Sequence, residues 1–172
     1  IKTAERMALS FRKREALRLV DLNDPRKSLV KGNKVKLLLK KYFGNKTFRD
    51  LKIPVKVGAT ALENGSQVIL DKGKLIDAAM ASGAFPGVFP PIKYKGQHLV
   101  DGGLADAAPV KLVKSMGADI IIAVDLFNLG HIKQKSYSMM QVLERTYEIL
   151  ISNLSKYSEK EYGDHILVLK PE

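Results

Sequence analysis

Cysteine is absent from this 172-residue chain, which excludes disulfide bonds and thiolate zinc sites. Histidine is scarce, and the wide separation of His98, His131 and His165 does not suggest a metal cluster, so neither a metal nor another cofactor is expected. The longest strictly apolar run, residues 120–124, is far shorter than the roughly 18 residues of a membrane-spanning helix. These absences favour a metal-free globular domain with no membrane span.

The chain has enough apolar material for one domain. Of its residues, 45% are hydrophobic, which is sufficient to bury a core at this length. The chain opens on Ile1, and its first 22 residues have helical spacing without a capping signal before them. We therefore expect residues 1–172 to form the C-terminal portion of a single domain whose earlier part precedes Ile1.

Positive charge is concentrated in the first third of the chain. The net charge is +11, and residues 1–60 hold 17 Lys and Arg against 5 Asp and Glu, a local excess of +12. This excess predicts either contact with an anionic surface, such as a membrane, or a solvated lysine-rich face. No nucleic-acid-binding motif accompanies the charge, so nucleic acid is not an expected partner.

The segment KGNKVKLLLKKYFGN predicts an amphipathic basic helix that stops at Gly44. One arc carries apolar side chains and the other carries lysines. Such a helix can lie on an anionic membrane surface, but its short length favours docking on the core of its own domain.

After Pro54 the sequence alternates between strand and helix patterns, which predicts the α/β class, with a central sheet flanked by helices. The run ADIIIAVDL is typical of a strand buried on both faces. Residues 139–160 predict a long helix with an apolar seam, for which packing on the sheet is favoured over a coiled coil. HILVLK predicts a closing strand.

The stretch VDGG, residues 100–103, has two interpretations. Asp-Gly between apolar segments is first a hairpin turn, because both residues can take positive φ. The alternative is a catalytic carboxylate, Asp101, that the two following glycines leave open to close approach.

The stretch from about Asp21 to Leu126 resembles the patatin-like phospholipase family of serine acyl hydrolases. The matching segments occur in order: DLNDP, TFRDLKIPVKVGATAL, DAAMAS running into GAFPGVFPP, LVDGG followed by Pro109-Val110, and MGADIIIAVDL. The resemblance implies a three-layer α/β/α sandwich, a modified α/β-hydrolase fold. It also implies a catalytic Ser-Asp dyad without histidine, in which Asp101 is the aspartate and Gly102 and Gly103 complete the motif.

The nucleophile of that dyad is not in this sequence. The family carries it in a G-x-S-x-G turn, and neither Ser66 nor Ser82 has glycines on both sides. The resemblance therefore implies that Asp101 is paired with a serine on an upstream segment or on a second chain.

For several other residues a functional interpretation and a structural one are both open. Phe85 and Pro86, in the proline-rich loop, could line a pocket for the acyl chain or pack a rigid turn, whereas Phe89 is assigned to the core. Asp125, at a strand end, is interpreted as a structural hydrogen-bonding group, and His98 as a surface residue.

Two departures from the family pattern leave substrate preference open. Ala61 stands where many members have aspartate, and Asp106-Ala107 replaces a pair that is often Asn-Asn.

The expected function is hydrolysis of a lipid or ester substrate, with Asp101 as the base. The alternative is a module without a serine that binds anionic lipid or another partner through its basic segment. The expected location is the cytoplasm, with peripheral membrane contact through residues 1–60.

Overall fold

The computed structural model describes residues 17–24, 26–126, 136–159 and 166–171. Within these ranges four helices have both ends described: α1 (Asn33–Phe43), α2 (Leu75–Ser82), α3 (Val110–Lys114) and α4 (Met139–Glu159). Its six strands are β1 (Val57–Ala61), β2 (Gln67–Leu70), β3 (Ile92–Tyr94), β4 (Gln97–Val100), β5 (Ile121–Val124) and β6 (Ile166–Leu169). Short 3-10 turns cover Phe48–Asp50 and Gly102–Leu104. The predicted α/β class is confirmed.

Four of these strands form an antiparallel sheet in the order β2-β1-β4-β3. β1 and β4 are the two central strands, and Val100, the last residue of β4, pairs with Thr60 near the end of β1. Between β3 and β4 the chain turns at Lys95 and Gly96, whose φ angles are 46° and 83°. Positive φ at both central residues is the geometry of a two-residue hairpin turn. The hairpin turn therefore lies at Lys95-Gly96 and not at Asp101-Gly102.

The first hydrophobic core lies between α2 and this sheet. Small alanines on both elements let them approach closely, and larger apolar side chains close the ends of the cluster. Its buried members are Phe48, Ala59, Ala61, Leu70, Leu75, Ala78, Ala81 and Leu99. Ala61 is one of them, so its position is part of the apolar core.

The strands β5 and β6 form a separate parallel pair, with a small cluster of Val110, Ile121 and Ala123 on one face. The prediction that ADIIIAVDL is buried on both faces is wrong for the residues that the structure describes. Ile122 and Val124 are 61% and 55% exposed. The physical reason is that α3 packs on one face, and no described element covers the other.

Helix α1 begins at a cap supplied from a distant part of the sequence. The Asp21 carboxylate accepts hydrogen bonds from the N–H groups of Gly32, Asn33 and Lys34, at 2.9, 2.7 and 3.3 Å. Desolvation acts to raise the pKa of Asp21, but these backbone bonds hold it below its ordinary value. Asp21, the first aspartate of the DLNDP segment, thus accepts hydrogen bonds from N–H groups that a helix leaves unpaired at its start.

The orientation of α1 agrees with docking on the core. Of the predicted apolar arc, Val35, Leu38, Leu39 and Phe43 are half-buried, and Phe43 packs against the first core. Tyr42, the fifth member of the arc, is exposed. The helix nevertheless leaves Leu37 66% exposed, in the middle of the arc that carries the lysines.

The long C-terminal helix forms as predicted, over Met139–Glu159, and β6 follows it. Its most buried positions are Ile151, Ser152 and Ser155. The predicted opening helix lies almost entirely outside the described residues.

Candidate functional site

Strand β4 ends directly before Asp101, and three hydrogen bonds hold the backbone of this residue and the turn that follows it. The Asp101 N–H donates to the Ala84 carbonyl at 3.1 Å, which ties it to the loop that follows α2. The Thr60 hydroxyl, on β1, donates to the Asp101 carbonyl at 2.7 Å. The same hydroxyl accepts from the Ala105 N–H at 3.1 Å, which fastens the turn after Asp101 to the sheet.

The side chain of Asp101 caps the 3-10 turn Gly102–Leu104. Its Oδ1 accepts the Gly103 N–H at 2.8 Å, an arrangement typical of aspartate at a helix N-cap. Within the described part of the chain, no other hydrogen bond to the Asp101 side chain is of ordinary length, and the Tyr147 hydroxyl approaches the same carboxylate. One carboxylate oxygen is therefore committed to the fold, and the other is open to a further donor.

Gly102 is required because the turn lies against β1. A Cβ atom at this position would lie 2.3 Å from the carbonyl oxygen of Gly58 and 2.8 Å from its carbonyl carbon. Neither Gly102 nor Gly103 has a positive φ. The requirement for glycine at position 102 is thus one of space and not of backbone conformation.

Gly103 separates Asp101 from the long helix α4. A Cβ atom there would lie 3.1 Å from Asp101 Oδ1, 3.3 Å from Ile151 Cδ1 and 3.7 Å from the Tyr147 hydroxyl. The missing side chain leaves the space in which Asp101 and α4 approach one another.

Tyr147 is the residue of α4 that approaches Asp101. Its hydroxyl is buried and makes no hydrogen bond of ordinary length within the described residues. Burial raises the pKa of Tyr147 far above its ordinary value, and the negative charge of Asp101 and a weak hydrogen bond from the phenol to its carboxylate raise it further. The phenol therefore keeps its proton at neutral pH, where it can donate to a carboxylate but cannot act as a base.

Phe85 contacts the same tyrosine. The two rings lie 4.3 Å apart between centroids and are inclined at 53°, a tilted arrangement that is favourable for aromatic pairs. Pro86 is exposed, and Phe89 is half-buried beside Gly32. The role of Phe85 and Pro86 in an acyl-chain pocket stays a prediction.

The remaining candidate carboxylate and histidine have local roles. His98 is on the surface as predicted, where its Nδ1 lies 2.9 Å from Glu63 Oε1. Asp125 is buried, and its N–H donates to the Leu169 carbonyl at 2.9 Å. Asp106 accepts from the Gln67 side chain at 3.1 Å.

The two serines considered above lie elsewhere. Ser66 is exposed in the turn between β1 and β2, and Ser82 is the last residue of α2. Among the described residues, no three His, Cys, Asp or Glu side chains are grouped as ligands for one metal ion.

Sequence reasoning did not identify Thr60 or Tyr147 as part of the site. Thr60 occurs within a segment that matches the family, but nothing in its neighbours indicates the two hydrogen bonds it makes. Tyr147 is one member of an apolar helical seam. Its position beside Asp101 depends on how α4 packs against the turn that follows β4, and no local pattern encodes that.

Thr60→Val is expected to destabilise the protein by about 1–3 kcal/mol, because the Asp101 carbonyl loses its buried donor and Ala105 loses an acceptor. Thr60→Ser keeps the hydroxyl and is the matched control, with an expected loss of about 0.8 kcal/mol for the methyl group. Urea unfolding of both variants measures the difference. Equal stability of the two would show that the hydroxyl does not hold this turn.

The described residues form a mixed α/β fold with a capped carboxylate at the end of a strand, which places the chain in the broad class of α/β proteins. The sequence profile of one family, described as patatin-like phospholipase, matches residues 4–114, which is more than half of the chain. The chain belongs to the patatin-like phospholipase family.

Several curated proteins are similar to the chain. An uncharacterized NTE family protein of Mycobacterium tuberculosis is 34% identical over 119 residues, which cover 69% of this chain and 33% of that protein. The lysophospholipase NTE1 of Debaryomyces hansenii is 34% identical over 108 residues, 63% of this chain and 7% of that protein. The lysophospholipase NTE1 of Pyricularia oryzae is 31% identical over 118 residues, 69% and 8% of the two chains.

The chain thus spans about a third of the mycobacterial relative and less than a tenth of the fungal ones. Within the described ranges, no helix combines the length and the apolar character needed to cross a membrane.

Proposed function

We propose that this chain is part of a lipid acyl hydrolase and supplies the base, Asp101, of a Ser-Asp dyad. The observation that supports it best is the state of the Asp101 carboxylate. Its backbone and Oδ1 are held by hydrogen bonds, and no other hydrogen bond to its side chain is of ordinary length in the described residues. A base held in this way can accept a proton without moving, as general-base catalysis requires.

The reaction begins when a serine hydroxyl attacks the ester carbonyl and Asp101 takes the hydroxyl proton. The proton then passes to the leaving alcohol, and an acyl-serine ester remains. Water attacks that ester and Asp101 accepts its proton. The bond from the acyl carbon to the serine oxygen then breaks, Asp101 returns the proton to that oxygen, and the free acid departs. Tyr147 does not exchange protons in this scheme, because its raised pKa keeps it protonated.

The serine, in this proposal, belongs to an upstream segment or to a second chain. The exposed face of the β5-β6 pair supports it. Ile122, Val124, Leu167 and Leu169 share one face and are 46–61% exposed. Apolar side chains grouped on a sheet face are stabilised when another element packs on them, and the segment with the serine is the occupant that we assign to this face.

Treatment of the complete protein with a serine-reactive fluorophosphonate, followed by intact-mass measurement and peptide mapping, tests the proposal. We expect one labelled serine, and we expect it outside the 172 residues. Ser66→Ala and Ser82→Ala are the controls and should label fully. No labelling of the native protein, or a label on a serine within this chain, would contradict the assignment.

Peripheral contact with anionic membrane is a second proposal, supported by α1. Lys34, Lys40 and Lys41 are exposed, and Leu37 projects among them with 66% exposure. Cationic side chains around an exposed apolar residue are typical of helices that lie on anionic lipid.

The test is sedimentation with lipid vesicles. We expect binding to vesicles that contain phosphatidylserine, little binding to pure phosphatidylcholine, and a loss of binding as salt is raised. Lys40→Gln with Lys41→Gln should weaken binding about tenfold or more, because each basic residue near the surface contributes about 1 kcal/mol. Lys114→Gln with Lys156→Gln is the control of equal charge. Equal binding by both double variants would remove α1 from the contact.

A further inference from the structure

A second concave site lies apart from Asp101, between α1, the first turn of α2, the end of β2 and strand β3. The cavity has a volume of about 320 Å³, within the size range of small-molecule sites. It shares no lining residue with Asp101 or with the residues that hydrogen-bond to it. Its chemistry is therefore independent of the dyad proposed above.

Lysines dominate the rim of this cavity, which we call the lysine pocket. Lys36, Lys72, Lys74 and Lys93 line it, and Asp77 is the one carboxylate among its lining residues. Asp77 forms an ion pair with Lys36 at 3.4 Å. Within the described part of the chain, none of the other three lysines has an ion-pair partner.

These lysines come from separate parts of the chain that folding brings together. Lys36 is on α1 and Lys93 is on β3. Lys72 and Lys74 lie in the segment between β2 and α2. The four positive charges of these lysines border one cavity, so a bound anion would be attracted by each of them. The start of α2 has no side-chain cap, and its helix dipole also favours negative charge.

The floor of the lysine pocket is apolar, with Leu70, Ala78 and Ile92 among its lining residues. A bare inorganic ion would use the rim and leave this floor empty. A ligand that combines a strongly anionic group with an organic part would contact both. Phosphate suits the rim best, because its three terminal oxygens accept bonds from several ammonium groups at once.

We propose that the lysine pocket binds the phosphate group of a phosphate ester, with the organic part of the ester against the apolar floor. Lys72, Lys74 and Lys93 hold the phosphate. Lys36 stays paired with Asp77 and closes the side of the pocket next to α1.

Calorimetric titration of the complete protein with inorganic phosphate at low ionic strength tests the rim. We expect saturable binding at one site. The triple variant Lys72→Gln, Lys74→Gln, Lys93→Gln should raise Kd at least about tenfold, since hydrogen bonds to charged groups are among the stronger ones. The triple arginine variant at these positions keeps the charge and should retain binding.

Lys52→Gln, Lys114→Gln, Lys156→Gln removes the same charge from exposed lysines outside the pocket and should leave Kd within about twofold, because exposed charges at a distance are screened. If phosphate does not bind, or binds equally to both glutamine variants, the proposal is wrong.

Vesicle sedimentation identifies the source of the phosphate. Vesicles with phosphatidic acid are compared with phosphatidylserine vesicles of equal surface charge. A preference for phosphatidic acid that the pocket variant loses supports a lipid headgroup as the ligand. Phosphate binding without that preference supports a soluble phosphate ester in the same pocket.

Discussion

Asp101→Asn in the complete protein is expected to lower ester hydrolysis by about 10² to 10⁴-fold, the range of general acid-base catalysis, while the fold is retained. The structure indicates that this substitution removes the carboxylate and keeps its hydrogen bond to the following turn. The amide oxygen of asparagine can still accept the Gly103 N–H that Asp101 Oδ1 accepts at 2.8 Å, and asparagine caps helical turns as well as aspartate does. The substitution therefore removes the base and keeps the cap.

Hydrolysis of a soluble ester, with thermal unfolding measured alongside it, separates loss of the base from loss of structure. Asp71→Asn changes an exposed carboxylate by the same single charge and should keep wild-type turnover. Turnover retained in Asp101→Asn would exclude Asp101 as the base.

Tyr147 gives a second readout of Asp101 that does not depend on activity. Burial and the Asp101 charge both raise its pKa above the ordinary 10.0, so removal of the charge should lower that pKa, while burial keeps it above the ordinary value. An ultraviolet titration of tyrosinate, with Tyr147→Phe subtracted to isolate the signal, measures the change. An unchanged titration in Asp101→Asn would mean that the two groups do not interact.

Gly102→Ala is expected to destabilise the protein by about 3 kcal/mol, at the upper end of what an added methyl costs in a packed site. The added Cβ would lie 2.3 Å from the Gly58 carbonyl oxygen, and both atoms belong to backbone that cannot rotate away. The 3-10 turn must move off β1, and the hydrogen bond from Thr60 to the Asp101 carbonyl is strained with it. Because total stabilities of domains are about 5–15 kcal/mol, this loss is a large fraction.

Gly58→Ala is the matched control, because it adds a methyl to the other partner of the same contact. Its Cβ would meet only the Gln67 Nε2 atom, at 3.8 Å, an ordinary contact. We expect a change of less than about 1 kcal/mol. Denaturant unfolding of both variants decides the matter, and a Gly102→Ala protein as stable as Gly58→Ala would show that the turn does not lie tightly on β1.

Local patterns predicted most of the secondary structure. The alternation of strands and helices after Pro54 is observed, and the helix predicted over residues 139–160 forms over Met139–Glu159. The motif residues Asp101, Gly102 and Gly103 were also found from sequence, through the family resemblance. The structural role of these glycines was not predicted from sequence. Gly102 lacks a side chain that would clash with β1, and no adjacent residue indicates that contact.

The face of β5 shows why one prediction failed. A run of β-branched residues has the same composition whether one or both of its faces are covered. Ile121 and Ala123 are buried, whereas Ile122 and Val124 are exposed in the described structure. The difference depends on which elements pack on the pair, and that is a property of the tertiary fold.

The sequence by itself determined the family, the α/β class and the position of the candidate base, because these depend on ordered motifs and on short-range periodicity. Only the tertiary structure brought Thr60 and Tyr147 to Asp101, from 41 residues before it and from the distant helix α4. It alone gathered four lysines, from α1, β3 and the segment between β2 and α2, around one pocket. Contacts of this kind join residues far apart in the chain, and their geometry is set by how helices cross the sheet rather than by any local pattern.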